Sequence, residues 1–144
     1  MSKRTVLFLC TGNSARSQMA EGLLRHLAGD RFEVLSAGTD PAGLNPLAVE
    51  AMREAGIEIS GQRSKHVREF LGRPVHYVVT VCSNARERCP IFPATFRQVH
   101  WEIDDPAAAP GTPEEKLAVF RRVRDEIGAR IRSELLAEGP ASGG

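Results

Sequence analysis

Cys10-Thr11-Gly12-Asn13-Ser14-Ala15-Arg16-Ser17 is the segment of this 144-residue chain best equipped for chemistry. Five residues separate a thiol from a guanidinium, and a loop of that length can curl so that successive backbone N–H groups point at one tetrahedral anion. Thr11, Gly12, Asn13, Ser14 and Ala15 form the cradle, Arg16 can grip two oxygens bidentately, and a helix beginning there adds partial positive charge. Gly12 and Asn13 both tolerate the left-handed backbone that such a curl demands. The same field favours the thiolate form of Cys10, and the Ser17 hydroxyl can donate a hydrogen bond to it. The chemistry implied is oxyanion binding beside a nucleophilic sulfur. A bare C-x5-R spacing arises often by chance, so the motif gains its weight only if it joins a buried strand directly to a helix.

Two other groups qualify. Cys82 and Cys89 bracket Ser-Asn-Ala-Arg-Glu-Arg, and Asp105 stands before Pro106, which restrains the backbone that aims the carboxyl group. The apolar run near the N-terminus is too short for a signal-peptide core or a membrane span, so a cytoplasmic, reducing location is expected. There, three cysteines read better as reactive thiols than as a structural disulfide framework, the alternative being small buried hydrophobes. No second Cys or His pair stands at ligand spacing. His26, His66, His76 and His100 are scattered singly and read as surface or packing residues, and no metal or other cofactor is expected.

These groups need a frame. Residues 5–9 are an uninterrupted apolar run, the pattern of a strand covered on both faces. Met19, Leu23, Leu24 and Leu27 recur at helical spacing from about residue 17 to 28, and residues 32–36 read as a second strand. Asn45-Pro46 predicts an N-cap with Pro at the first helical position, opening a helix that Gly56 closes. Residues 60–72 are polar, with a short helix near 67–71. Residues 75–81 and 96–101 predict strands three and four. Thr112-Pro113-Glu114-Glu115 is a capping box, and Leu117, Phe120, Val123, Ile127 and Ile131 mark one face of a last helix running to about 136. Residues 1–136 are expected to form one domain, and 137–144 a disordered tail.

Strands alternating with helices predict an α/β fold with a parallel sheet, in the order 2-1-3-4. Ligands bind such sheets beyond the carboxyl ends of the strands. Cys10, Cys82 and Asp104-Asp105 would then share one edge. Composition adds exclusions: 42% hydrophobic and 26% charged residues describe an ordinary globular chain. A net charge of +1 argues against nucleic acid or an anionic membrane as partner, and monomer is the default.

The run from Cys10 through Ser17-Gln-Met-Ala-Glu-Gly22 resembles the signature of the low-molecular-weight tyrosine phosphatase fold, in particular the thioredoxin-coupled arsenate reductases built on it. The likeness continues through Ser36-Ala37-Gly38-Thr39 to Arg124-Asp125-Glu126-Ile127. It implies that Cys10 attacks arsenate, with phosphate or sulfate as competing oxyanions, while Asp105 (rather than Asp104) helps protonate the departing oxygen. Cys82 then attacks Cys10, releasing arsenite, and Cys89 attacks Cys82, leaving a disulfide for thioredoxin. A helix across residues 82–89 would hold those Cα atoms roughly 10 Å apart, beyond the reach of a disulfide, so this segment is expected to be the mobile switch. Some relatives bind potassium through residues matching Asn13, Glu21 and Ser36; Lys65 stands where an acidic partner is expected, and potassium is not predicted. Residue 15 is Ala where many relatives carry another cysteine. Ala-Ala-Ala-Pro after Pro106 replaces the tyrosines typical of the phosphatases. A tyrosine phosphatase, and a redox-sensing anion-binding module without turnover, are the alternative readings.

Overall fold

The apolar run near the N-terminus forms the strand on which the fold is built. β1 (Arg4–Cys10) is buried from Thr5 onward, as a strand covered on both faces must be. In the computed structural model, which describes residues 3–82 and 92–137, β1 pairs in parallel with β2 (Phe32–Gly38) and with β3 (Tyr77–Cys82). β4 (Arg97–Glu102) pairs in parallel with β3. The four-stranded order is β2-β1-β3-β4, as the alternating pattern predicted. Residues 138–144, most of the predicted tail, lie outside the described residues.

Two strand ends differ from expectation by two residues, the others by at most one. β2 continues to Gly38 because Ala37 and Gly38 keep pairing with Leu9 and Cys10. β3 begins at Tyr77 rather than at residue 75, because the His76 side-chain Nδ1 accepts the Thr5 N–H in place of a ladder carbonyl.

α1 (Arg16–Ala28) follows the loop after β1. Its N-cap, Ala15, has no side-chain cap, and its first turn carries no acidic residue. The positive end of the helix is therefore not neutralised from within. α2 (Pro46–Glu54) starts as predicted, with the Asn45 side chain accepting from Leu47 N–H and Pro46 at the first position. Gly56, at φ 80°, follows it in a backbone conformation that favours glycine. α3 (Pro113–Arg130) opens on the predicted capping box between Thr112 and Glu115. Its last six predicted residues, Ile131–Leu136, wind as a π-helix instead. They still bury Ile131 and Leu135, and Glu134 accepts the Trp101 indole N–H at 3.0 Å.

The helices pack on the sheet through one large core that includes Phe8, Met19, Met52, Trp101, Phe120 and Ile127. Each such side chain, when fully buried, contributes about 1.5–3 kcal/mol. A smaller cluster of Leu7, Leu9, Val78, Phe70 and Phe92 is separate from it. Phe70 belongs to a 3-10 turn, Val67–Phe70, where a short helix was expected. Because the strands are parallel, Cys10, Gly38, Cys82 and Glu102 all end at the same edge of the sheet. Among the described residues no helix is long and apolar enough to cross a membrane.

Candidate active site

The loop from Thr11 to Ala15 joins β1 directly to α1, the context its motif required. Four of its carbonyls point outward to donors elsewhere. Asp40 N–H donates to Thr11 O and Ala42 N–H to Gly12 O, both at 2.9 Å. Asn13 O accepts from Ser64 Oγ and Gln18 Nε2, and Ser14 O from Asn45 N–H. In a trans peptide the C=O of one residue and the N–H of the next point oppositely, and no described peptide bond is cis. The N–H groups of Gly12, Asn13, Ser14 and Ala15 therefore face the inside of the loop. That is the geometry of a nest that could hold an anion at a helix N-terminus. Cys10 lies beneath it, 2% exposed, with its Sγ accepting from Asn13 N–H at 3.2 Å and lying 2.8 Å from Ser17 Oγ.

Asn13 fixes the curl. It is the one non-glycine residue with positive φ among the described residues, at 46°, a conformation costing about 1–2 kcal/mol. A full set of hydrogen bonds offsets that cost. Its Oδ1 accepts from Lys65 N–H at 2.7 Å and Gln18 Nε2 at 3.1 Å. Its Nδ2 donates to Ser17 Oγ at 2.8 Å and Ser36 Oγ at 3.0 Å.

Gly38 closes the cradle from β2. A Cβ there would lie 2.8 Å from Cys10 O and 2.9 Å from Asn13 N, and would press on Thr11 O as well. All three are backbone atoms of the loop and cannot step aside. Gly38→Ala is expected to lower stability by about 1–3 kcal/mol and to deform the nest. A urea titration checks the first effect, and weakened inorganic phosphate binding by calorimetry checks the second.

Arg16 is 3% exposed and donates through Nη1 to Ile103 O at 3.0 Å. Its Nη2 lies 3.8 Å from Asp105 Oδ2. The two-pronged grip on an anion that the spacing suggested would therefore draw on a guanidinium already anchored to the segment after β4. Asp105 caps the 3-10 turn Pro106–Ala108 by accepting Ala107 N–H at 3.0 Å. Cys82 ends β3, fully buried and disulfide-bonded, two residues beyond Thr80, which pairs with Leu9 of β1. Cys10 and Cys82 thus end strands at the same sheet edge, where Arg16 and Asp105 lie 3.8 Å apart. Cys89, and the expected switch between it and Cys82, fall outside the described residues. No group of three or more Cys, His, Asp or Glu suited to a metal occurs among the described residues.

Sequence reasoning named the loop but missed Gln18, Ser64 and the Ile103 carbonyl. Gln18 is fully buried in the first turn of α1, and a buried glutamine beside a catalytic motif is a usable signal for a second layer of support.

A family model described as low molecular weight phosphotyrosine protein phosphatase matches residues 5–138. An arsenate reductase of Shouchella clausii (strain KSM-K16) is 54% identical over 132 residues, covering 92% of this chain and 95% of that protein. The chain belongs to this phosphatase-fold family, on its arsenate reductase branch. Solved relatives agree with this placement. One, described as an arsenate reductase in the phosphate binding state, superimposes with a TM-score of 0.77 at 31% identity, covering 94% of this chain and 98% of that one. A thioredoxin-dependent arsenate reductase of Corynebacterium glutamicum matches at 31% identity with a TM-score of 0.67, over 94% of this chain and 63% of the longer one. In this branch member the loop after β1 sits at the carboxyl edge of the sheet.

Proposed function

We propose that the protein reduces arsenate to arsenite in arsenic detoxification, using Cys10, Cys82 and Cys89 in turn and ending in a disulfide that thioredoxin reduces. Cys10 attacks arsenic and one oxygen leaves as water, with Asp105 helping to supply the proton. The Cys82 thiolate then attacks the Cys10 sulfur. The sulfur–arsenic bond breaks, its electron pair stays on arsenic, and arsenite departs. Cys89 attacks Cys82, Cys10 returns as a thiol, and the two electrons lost by the protein are restored by thioredoxin.

The observation that carries this reading is the inward-facing N–H nest over Cys10, with Cys82 on the adjacent strand end. Relatives named arsenate reductases at high identity support it. In this reading the protein works in the cytoplasm as a monomer, without metal or other cofactor. A phosphatase reading has support in the matching family model and in the C-x5-R loop with its aspartate, which suffice for phosphoester hydrolysis.

Consumption of NADPH with thioredoxin reductase, thioredoxin and arsenate tests the proposal. Turnover should require both arsenate and thioredoxin. Hydrolysis of an aryl phosphate with no arsenate-dependent NADPH consumption would replace it with the phosphatase. In the same assay Asp105→Asn should lower kcat by about 10²-fold or more. The amide keeps an oxygen for Ala107 N–H, so the turn is preserved and the loss reports the missing proton.

A further inference from the structure

The outward-facing carbonyls of the loop are not all held alike. Thr11 O, Gly12 O and Ser14 O each accept a backbone N–H, from Asp40, Ala42 and Asn45. Among the described residues, Asn13 O is held by side chains alone, the Ser64 hydroxyl at 2.9 Å and the Gln18 amide at 3.0 Å. It is also the carbonyl of the residue at φ 46°.

Neither donor is dedicated to it. Ser64 has one hydroxyl hydrogen, and its Oγ lies 3.1 Å from Gly12 O as well. Gln18 is fully buried. Its Nε2 carries two hydrogens for three oxygens: Arg63 O at 2.8 Å, Asn13 O, and Asn13 Oδ1 at 3.1 Å. Those oxygens settle the orientation of the amide, and its Oε1 accepts from Gln62 Nε2 at 2.7 Å. Asn13 O thus depends on shared hydrogens that reach it from two places, α1 and the segment before the 3-10 turn.

The direction of that carbonyl fixes its own peptide. With Asn13 O outward, Ser14 N–H points into the loop. The N–H that reaches Cys10 Sγ is that of Asn13, in the preceding peptide. The Gly12 carbonyl of that peptide keeps Ala42 N–H as a donor even without Ser64. Holding an oxyanion and touching the thiol therefore rest on different supports.

We propose that Gln18 and Ser64 are positioning residues for oxyanion binding: together they keep the Asn13–Ser14 peptide from turning over, so that Ser14 N–H faces the anion. The proposal rests on the nest holding an oxyanion, as the reaction above requires, but not on arsenate being reduced.

Two measurements on the full-length protein test it. One is inorganic phosphate binding by calorimetry. The other is Cys10 alkylation by iodoacetamide, a neutral reagent, followed without phosphate by peptide mass spectrometry. The variants are Gln18→Met, which keeps the length without a donor, Ser64→Ala, and the two combined. Each other oxygen that these side chains serve keeps a partner: Arg63 O has Lys65 Nζ, Asn13 Oδ1 has Lys65 N–H, and Gly12 O has Ala42 N–H. The double variant should bind phosphate at least about tenfold more weakly, the scale of one hydrogen bond to a charged group. Its Cys10 alkylation should stay within about twofold of wild type, because the contacts of the sulfur are kept. Phosphate affinity within about twofold of wild type overturns the proposal, because the peptide then needs neither side chain. Affinity and alkylation falling together also overturn it, because the loop as a whole is then damaged. If a thermal melt shows the double variant unfolded, Gln18→Met alone decides: affinity about threefold weaker supports the proposal, and unchanged affinity overturns it. Neither assay contains arsenate or thioredoxin, so failure here and failure of the proposed reduction are separate results.

Discussion

Replacing Cys10 with serine is expected to lower arsenate-dependent turnover by at least about 10⁴-fold, the scale on which removal of a nucleophile is felt when its surroundings are kept. A serine hydroxyl is close in size to the thiol and can keep the contacts to Ser17 Oγ and Asn13 N–H. The nest itself is backbone, held by Asp40, Ala42, Asn45, Ser64 and Gln18 from outside the loop. Folding and oxyanion binding should therefore survive while chemistry does not. Calorimetry with inorganic phosphate and a thermal melt check the first half of that statement, and the coupled NADPH assay checks the second. Turnover within tenfold of wild type would mean that sulfur at this position is not the attacking atom. Retained docking of a partner with all turnover absent, in the wild type as well as the variant, would instead favour a redox-sensing module.

The second large effect separates the two later cysteines. Without added thiol, Cys82→Ser should produce no free arsenite, because nothing attacks the Cys10 sulfur. Cys89→Ser should produce at most one arsenite per protein molecule and then stop with Cys10 and Cys82 joined. Both should lose steady-state turnover, so the distinguishing measurement is arsenite released in a single turnover, with the protein species identified by mass spectrometry. What the sheet supplies toward this is nearness of the two strand ends. β1 and β3 are hydrogen-bonded neighbours, strands in a sheet lie about 4.8 Å apart, and Cys10 and Cys82 end those two strands. One arsenite per molecule from both variants would break the proposed order of attack.

The parts of this molecule that were legible in the sequence are those written in consecutive residues. The C-x5-R loop, the Asn45-Pro46 start of α2 and the Thr112 capping box are local patterns, and each is found where its residues stand. Sheet order followed from the alternation of strands and helices. The support of the loop was not legible in the same way, because its contacts join distant residues. Gln18 reaches Arg63 O, and Ser64 reaches Gly12 and Asn13 across some fifty residues. Nothing near Ser64 announces that its hydroxyl faces a loop so far away. Glu21, Ser36 and Lys65 could be singled out only by comparison with relatives, and the ion pair between Lys65 and Glu21 appears only in the folded chain. The π-helical end of α3 likewise has no sequence pattern distinct from a continued α-helix.

The outward-facing carbonyls of the loop carry one more consequence. Each is already engaged by a donor elsewhere in the protein, so the nest is built before any anion arrives and cannot reshape itself around one. Arsenate and phosphate present nearly the same tetrahedron and charge to such a cradle, and differences of bond length alone give it little to measure. Discrimination between them is then kinetic. In the proposed reaction phosphate would enter and leave unchanged, occupying the protein without being consumed, and only the oxyanion whose central atom can accept a sulfur and then two electrons would move forward. Under this scheme the flux through the protein in a cell depends on the ratio of the two anions as much as on the concentration of arsenate.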